Sequence, residues 1–194
     1  DTQYVGCISP TGSGGNRVDP RVITLFTVFN ITPPAQESTI KIYNSILERH
    51  VEEFHEDIKG IVPKMTQASY SLYIQIIEKL PRTPLKFHYI FNLRDLSKLY
   101  EGLLQSTIDK FPTKEKFVRL WRNEAQRIFA DRLIDSTDKD LICNTVIPDI
   151  IKEIFKDCAE PALKDPCIFG DYSMANPNDD EAEDPRLYED LGEF

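Results

Sequence analysis

No stretch of these 194 residues approaches the roughly 20 consecutive apolar residues that a bilayer-spanning helix needs, and no basic-then-apolar leader opens the chain. Cysteine is scarce and scattered. Its four copies, Cys7, Cys143, Cys158 and Cys167, form no C-x-x-C pair, and His50, His55 and His88 are not spaced to complete a tetrahedral zinc site. That spacing reads as reduced thiols rather than a disulfide framework. A basic patch is missing too. The formal charge is −9, and from Asp171 to Phe194 there are nine acids against the single base Arg186, so residues 1–170 carry only −1. A balanced body with an acidic tail is not the footprint of a nucleic-acid binder. No membrane and no nucleic-acid partner is expected.

Catalytic signatures are equally absent. A phosphate loop needs G-x-x-x-x-G-K-[ST], so that backbone amides and a lysine cradle the phosphates while a hydroxyl holds magnesium. Thr11–Asn16 offers glycines but no Lys-Ser or Lys-Thr after them. No apolar run ends in Asp-Glu to hold a metal, and G-x-S-x-G does not occur. The fragment by itself is not expected to be catalytic, and no metal site is expected within it.

What is present is enough apolar matter for a core: 41% hydrophobic residues, with 11 Phe and 8 Tyr. The chain opens at Asp1 as if in mid-domain, and a piece of a longer polypeptide is expected. Tyr4–Ile8 is a continuous apolar run of the kind that forms a strand buried on both faces. A glycine loop follows, then Val22–Phe29, helical or extended, and Pro33-Pro34 closes the section. Beyond the prolines the apolar period becomes helical. Ile40, Tyr43, Leu47, Val51 and Phe54 make one stripe, and Met65, Ser69, Leu72, Ile76 and Leu80 a second, bounded by Pro63 and Pro81. Leu93, Leu96, Tyr100, Leu103 and Leu104 make a third, with Asn92 as cap and Asp95 in the first turn. Phe117, Leu120, Trp121, Ile128 and Leu133 define a fourth helix ending near Asp135. Ser136 is positioned to cap a fifth, which Pro148 should kink or divide. Cys167–Phe169 suits a short strand, and Asp171–Asp184 a flexible acidic connector. The dense charges Arg119, Arg122, Glu124, Arg127, Asp131 and Arg132 are expected on a solvated helix face.

Two arginines stand out by position. Arg94 occupies the first turn of the third helix, where the dipole and free N–H groups favour an anion and a guanidinium can grip phosphate through two hydrogen bonds. The plainer expectation is an exposed side chain paired with an acid such as Asp95. Arg21 follows Pro20 after the glycine loop, where it can project from a domain edge or simply be solvated.

Three ordered segments are more specific. Phe87-His88-Tyr89-Ile90-Phe91-Asn92-Leu93-Arg94-Asp95-Leu96-Ser97-Lys98 closely resembles a segment of dynein heavy chains, above all axonemal ones. Trp121-Arg122-Asn123-Glu124 with Arg127-Ile128-Phe129-Ala130-Asp131-Arg132-Leu133 resembles the next signature in the same order. Upstream, Gly14–Arg21 is similar to the glycine-rich loop and arginine-bearing turn of the third AAA+ module. The resemblance implies a mainly α fold: a helical AAA+ lid bundle over residues 34–157, preceded by the end of an α/β large domain (1–33) and followed by an acidic linker (158–194).

The same resemblance implies a part of an ATP-driven microtubule motor that relays nucleotide state around a ring of six modules. ATP or ADP with magnesium would be used by the full-length parent. Neighbouring AAA+ modules, microtubules and dynein light or intermediate chains would be its partners, in the cytoplasm and cytoskeleton and specifically the axoneme of a cilium or flagellum. Arg94 then stands at the sensor-two position, Arg21 at that of an arginine finger toward the preceding module's site, and Ser9 at the sensor-one position. Ser9 departs from the asparagine usual there, Thr24 replaces a second arginine of the turn, and Asn123 replaces a frequent histidine. The alternatives are a stand-alone helical interaction module and the lid of an unrelated AAA+ ATPase.

Overall fold

A computed structural model describes residues 2–8, 18–173 and 187–192. Ser9 and most of the acidic connector lie outside these residues. The chain divides into two compact units, Asp1–Pro34 and Ala35–Phe194.

The first unit has one short helix, α1 (Pro20–Ile23), with proline at its start and the Asp19 carboxylate accepting the Arg21 N–H at 2.9 Å. Tyr4–Ile8, expected as a buried strand, is irregular and exposed, with Val5 89% accessible. A strand buried on both faces requires hydrogen-bonded neighbours, and among the described residues none pairs with it. Leu25, Val28 and Phe29 are exposed as well.

The second unit is the helical bundle. It comprises α2 (Gln36–His50), α3 (Glu56–Lys59), α4 (Val62–Lys79), α5 (Leu93–Leu103), α6 (Lys114–Ala125), α7 (Ser136–Asp140), α8 (Ile147–Ile154) and α9 (Ala159–Ala162). Strand β1 (Phe169–Gly170) pairs antiparallel with β2 (Glu189–Asp190). No described helix is long and apolar enough to cross a membrane.

The stripes read from the sequence are the faces that pack. Tyr43, Leu47, Val51 and Phe54 are buried from α2 onward, and Met65, Ser69, Leu72 and Ile76 from α4. Proline enters α4 in its first turn, where no helical N–H is lost, and Pro81 ends it by excluding Leu80 from helical ψ (φ −119°, ψ 65°). Tyr43 stacks on Tyr100 of α5 at 4.5 Å, its hydroxyl donating to Leu93 O at 3.1 Å. At the centre, Trp121 of α6 is fully buried and donates its indole N–H to Ser69 Oγ at 2.8 Å, while that hydroxyl donates to Met65 O.

Two helix junctions differ from expectation. The fourth helix does not run straight to Asp135, because beyond Ala125 it widens into a π turn, Gln126–Ala130, closed by Asp131 N–H to Gln126 O at 3.1 Å. The fifth helix is divided ahead of Pro148, at a π turn rather than at the proline itself. The helix passes through a π turn at Leu141–Val146 and restarts as α8 with Pro148 in its first turn. A proline cannot donate to the carbonyl four residues back, and a wider turn with Ile147 N–H bonded to Ile142 O takes up the mismatch. Ser136 is not the cap of α7. Asp135 takes that place, with its carboxylate turned to Lys86 at 2.9 Å.

Residues after 157, expected as linker, begin as part of the packed body. Cys158, Ala162 and Phe169 are buried in the same core as Trp121, and Phe169 stacks on Phe111 at 6.1 Å.

The Trp121–Ser69 bond predicts a graded loss of stability. Ser69→Ala leaves a buried indole N–H unpaired and should destabilise the chain by about 1–3 kcal/mol. Trp121→Ala opens a cavity as well and should destabilise it by about 3–5 kcal/mol. Urea denaturation followed by circular dichroism measures both, and a Ser69→Ala chain as stable as the parent would mean that the hydroxyl contributes nothing specific.

Candidate functional site

The start of α5 is built by a reciprocal cap. Asn92 Oδ1 accepts the Arg94 N–H at 2.9 Å, and the Asn92 N–H donates to Asp95 Oδ2 at 2.9 Å. These two bonds fix the first helical turn and decide where its side chains go. Asp95 turns inward, only 7% accessible, where Arg132 Nη1 donates to its Oδ1 at 3.1 Å. Arg132 also donates to Ile90 O at 2.8 Å and lies over the Phe91 ring at 4.3 Å. Arg94 turns outward and is exposed, and among the described residues no carboxylate or carbonyl receives its guanidinium. The expected pairing of Arg94 with Asp95 does not form, because Asp95 is already occupied by its cap and by Arg132.

Apolar side chains stay exposed on the two segments that Arg132 joins at the start of α5. Leu85 (92% accessible), Phe87 and Ile90 on the loop before α5, and Ile134 (75%) on the segment before α7, stay in solvent. The two segments are tied together beneath by Lys86, which pairs with Asp135 and Asp138, and by the Tyr89 hydroxyl donating to Asp138 at 2.8 Å. An exposed guanidinium with no acceptor among the described residues is suited to an anion. No group of three or more potential ligands for a metal ion occurs among the described residues. The cleft lined by Lys64, Lys114, Glu153 and Asp157 is of mixed charge and contains neither Arg94 nor Asp95.

The charged face of α6 is the main correction to the sequence reading. Phe117–Ala125 are all buried, Arg119, Arg122 and Glu124 among them. Arg119 donates Nε to Asp190 at 2.5 Å and its other nitrogens to the carbonyls of Lys164 and Pro166. Arg122 reaches Ala162 O at 3.2 Å and Asp165 at 2.7 Å. Glu124 accepts from the Tyr188 hydroxyl at 2.6 Å and from Asn123 at 2.9 Å. Its carboxylate lies over Gly102 of α5, where a Cβ would push the Glu124 side chain from this position. Burial and the neighbouring Glu124 charge both push the Tyr188 phenol above its ordinary value.

Arg21 sits exposed on α1, in the other unit, and its backbone rather than its guanidinium makes the local bond. Ser9 lies outside the described residues.

Adjacent residues of the same turn should therefore behave oppositely. Asp95→Ala removes the cap and leaves Arg132 without its partner, for an expected loss of about 1–3 kcal/mol. Arg94→Ala should stay within about 0.5 kcal/mol of the parent chain. Thermal melts of both variants decide, and equal destabilisation would contradict the division of roles. Tyr188 gives a pH dependence. A phenol with a raised folded pKa stabilises fully below the unfolded tyrosine value of about 10 and loses that contribution as pH rises through the folded one. Tyr188→Phe should remove this share of the alkaline loss in denaturation curves taken from pH 9 upward. An identical alkaline profile in the variant would contradict it.

The AAA+ lid domain family matches residues 65–165, from α4 through α9. Human dynein axonemal heavy chain 10 is 44% identical over 194 residues, covering 100% of this chain and 4% of that protein. The dynein-1-alpha heavy chain of the flagellar inner arm I1 complex of Chlamydomonas reinhardtii is 44% identical over 198 residues, again 100% of this chain and 4% of that one. Human dynein axonemal heavy chain 2 is 33% identical over 190 residues. The chain spans about 4% of the length of these relatives. Their similarity over all or nearly all of its residues, with the lid match over the helices that frame Asp95 and Trp121, establishes that the chain belongs to the dynein heavy chain family and that its helical body is an AAA+ lid domain.

Proposed function

We propose that this lid senses nucleotide at the third AAA+ module of an axonemal dynein heavy chain and passes the change on to its neighbours in the same polypeptide. The observation that carries the reading is Arg94: an exposed guanidinium, without a protein partner among the described residues, on the first turn of an 11-residue helix whose cap fixes its direction. That helix start adds the positive end of its dipole to the guanidinium charge, its Arg94 N–H being already taken by Asn92. Phosphate, like carboxylate, is an anion that a planar two-pronged donor matches with two hydrogen bonds.

In the parent, bound ATP or ADP with magnesium supplies the hydrolysable phosphates and their countercharge. The residues here fit the phosphate part of that task, since Arg94 stands unpaired. They do not fit the metal part, because no ligand cluster occurs among the described residues. Arg94 would bind the phosphate of its own module, with Leu85, Phe87, Ile90 and Ile134 covered by that module's large domain. Loss of phosphate charge would then release the guanidinium and let the lid turn. A coupling of this kind amounts to about 1–3 kcal/mol. Arg21 would reach the site of the preceding module, and Ser9 would hold the sensor-one position.

On this reading residues 1–33 close the large domain, the lid begins at about residue 34, and its packing continues past residue 157 to Phe169. The remaining acidic residues connect it to the next module. Microtubules, and light or intermediate chains, would be partners of the whole motor, whose place would be the axoneme of a cilium or flagellum, within the cytoskeleton.

The test is nucleotide affinity at the third module of the full-length heavy chain, with gliding velocity on microtubules as the second readout. Arg94→Ala should weaken that affinity about 5- to 150-fold, the span of ordinary couplings, and alter velocity. Arg94→Lys should restore part of it, since it keeps the charge and loses the planar fork. Unchanged affinity and velocity in both variants would reduce Arg94 to a solvated surface charge.

A further inference from the structure

Beyond the acidic connector the chain returns to the lid, and the manner of its return is unlike the packing of the helices. Leu187–Gly192 crosses α6 as β2, but its ladder with β1 is two residues long, too short to hold two strands together without other support. Side chains supply the rest. Glu189 pairs with Lys110, Asp190 pairs with Arg119, and the Tyr188 hydroxyl binds Glu124. Only Leu191 of this segment is buried, at 8% accessible, and its N–H donates to Ile168 O at 2.8 Å. Gly192 lies against Pro166 O and the Arg119 guanidinium, where a Cβ would collide.

We propose that Leu187–Gly192 is a charge-latched clasp that opens from the lid as a unit while the helical bundle stays folded. Opening returns the Glu189, Asp190 and Lys110 charges to water, which hydrates them well, leaves Arg119 on the carbonyls of Lys164 and Pro166, and uncovers Leu191 and the contact of Tyr188 with Phe169. Opening the bundle would expose Trp121, Phe117 and Leu99, which water does not stabilise. The clasp therefore lies at the low end of the stability range of this domain. Closed, residues 187–192 move with α6. Open, they move without it. For a lid that relays motion this sets whether the segment beyond the connector follows the lid, a consequence that rests on the function proposed above. The clasp itself does not depend on that function.

Hydrogen exchange by NMR on the full 194-residue chain, without nucleotide, tests it. The Leu191 amide should be protected, yet exchange at least about 10-fold faster than the Trp121 amide of α6, as a locally opening unit does. Asp190→Asn leaves the Arg119 charge without its carboxylate and should speed Leu191 exchange about 10-fold further, with Trp121 exchange unchanged. Glu189→Lys, which faces Lys110, should do the same, and Lys110→Glu added to it should restore the slower rate. The proposal is overturned if the Leu191 and Trp121 amides exchange at one common rate in all variants, if Leu191 is unprotected in the parent chain, or if the charge swap restores nothing. Because nucleotide and motility play no part, a null result at Arg94 leaves this outcome unaffected.

Discussion

Two guanidinium groups one helical turn apart, Arg119 and Arg122 on α6, hold the carbonyls of Ala162, Lys164 and Pro166 as the chain leaves α9. Those carbonyls belong to the end of a short helix and the loop beyond it, where no helical N–H is left to receive them. A charged donor answers several acceptors at once, so Arg119 and Arg122 turn an irregular segment into one whose backbone is satisfied within the fold. Asp165 and Asp190 balance the charge. With this seam in place, Cys158, Ala162 and Phe169 can close over Trp121 and Phe111. Without it, the two cations would be buried with no partners, and the side of the bundle they line would have to open to water.

The same constraint gives the lid two kinds of surface. Along α6 the charges are consumed internally, by carbonyls, carboxylates and the Tyr188 phenol. At the start of α5 one charge is left over. Asp95 and Arg94 are neighbours in sequence, and the helix points them 100° or so apart, one into the bundle toward Arg132 and the other into solvent. The burial of Asp95 and its cap fix the backbone turn from which Arg94 projects. On the function proposed above, stability and recognition would fall to adjacent residues, so that either could be changed without the other.

The helices were legible because their apolar residues recur at the period that one buried face demands. Tyr43, Leu47, Val51 and Phe54 on the first stripe, and Met65, Ser69, Leu72 and Ile76 on the second, are inside as their spacing predicts. The cap at Asn92 and Asp95 was legible for a similar reason, since both halves of it lie within four consecutive residues. Arg94 as a candidate came from that position, and the resemblance to dynein heavy chains gave it a role. The strand expected at Tyr4–Ile8 shows the limit of the method, for an apolar run states what it would bury against but not that a partner strand is present.

Local pattern could not reveal what the charges of α6 do. On the helix alone, Arg119, Arg122 and Glu124 look like a solvated face, and nothing within ten residues contradicts that. Their partners stand 40 to 71 residues away in the chain, at Ala162, Asp165, Tyr188 and Asp190. The sequence by itself determined the main helix-forming segments, their inward faces, the cap at Asn92 and Asp95 and the family, because each depends on residues close together or on an order of motifs. Only the tertiary structure decided which charges are buried, that Asp95 belongs to Arg132 rather than to Arg94, and that the chain returns after its acidic connector to lie on α6. A buried charge is stable only beside a partner, and the chain fold is what brings that partner from a distant part of the sequence.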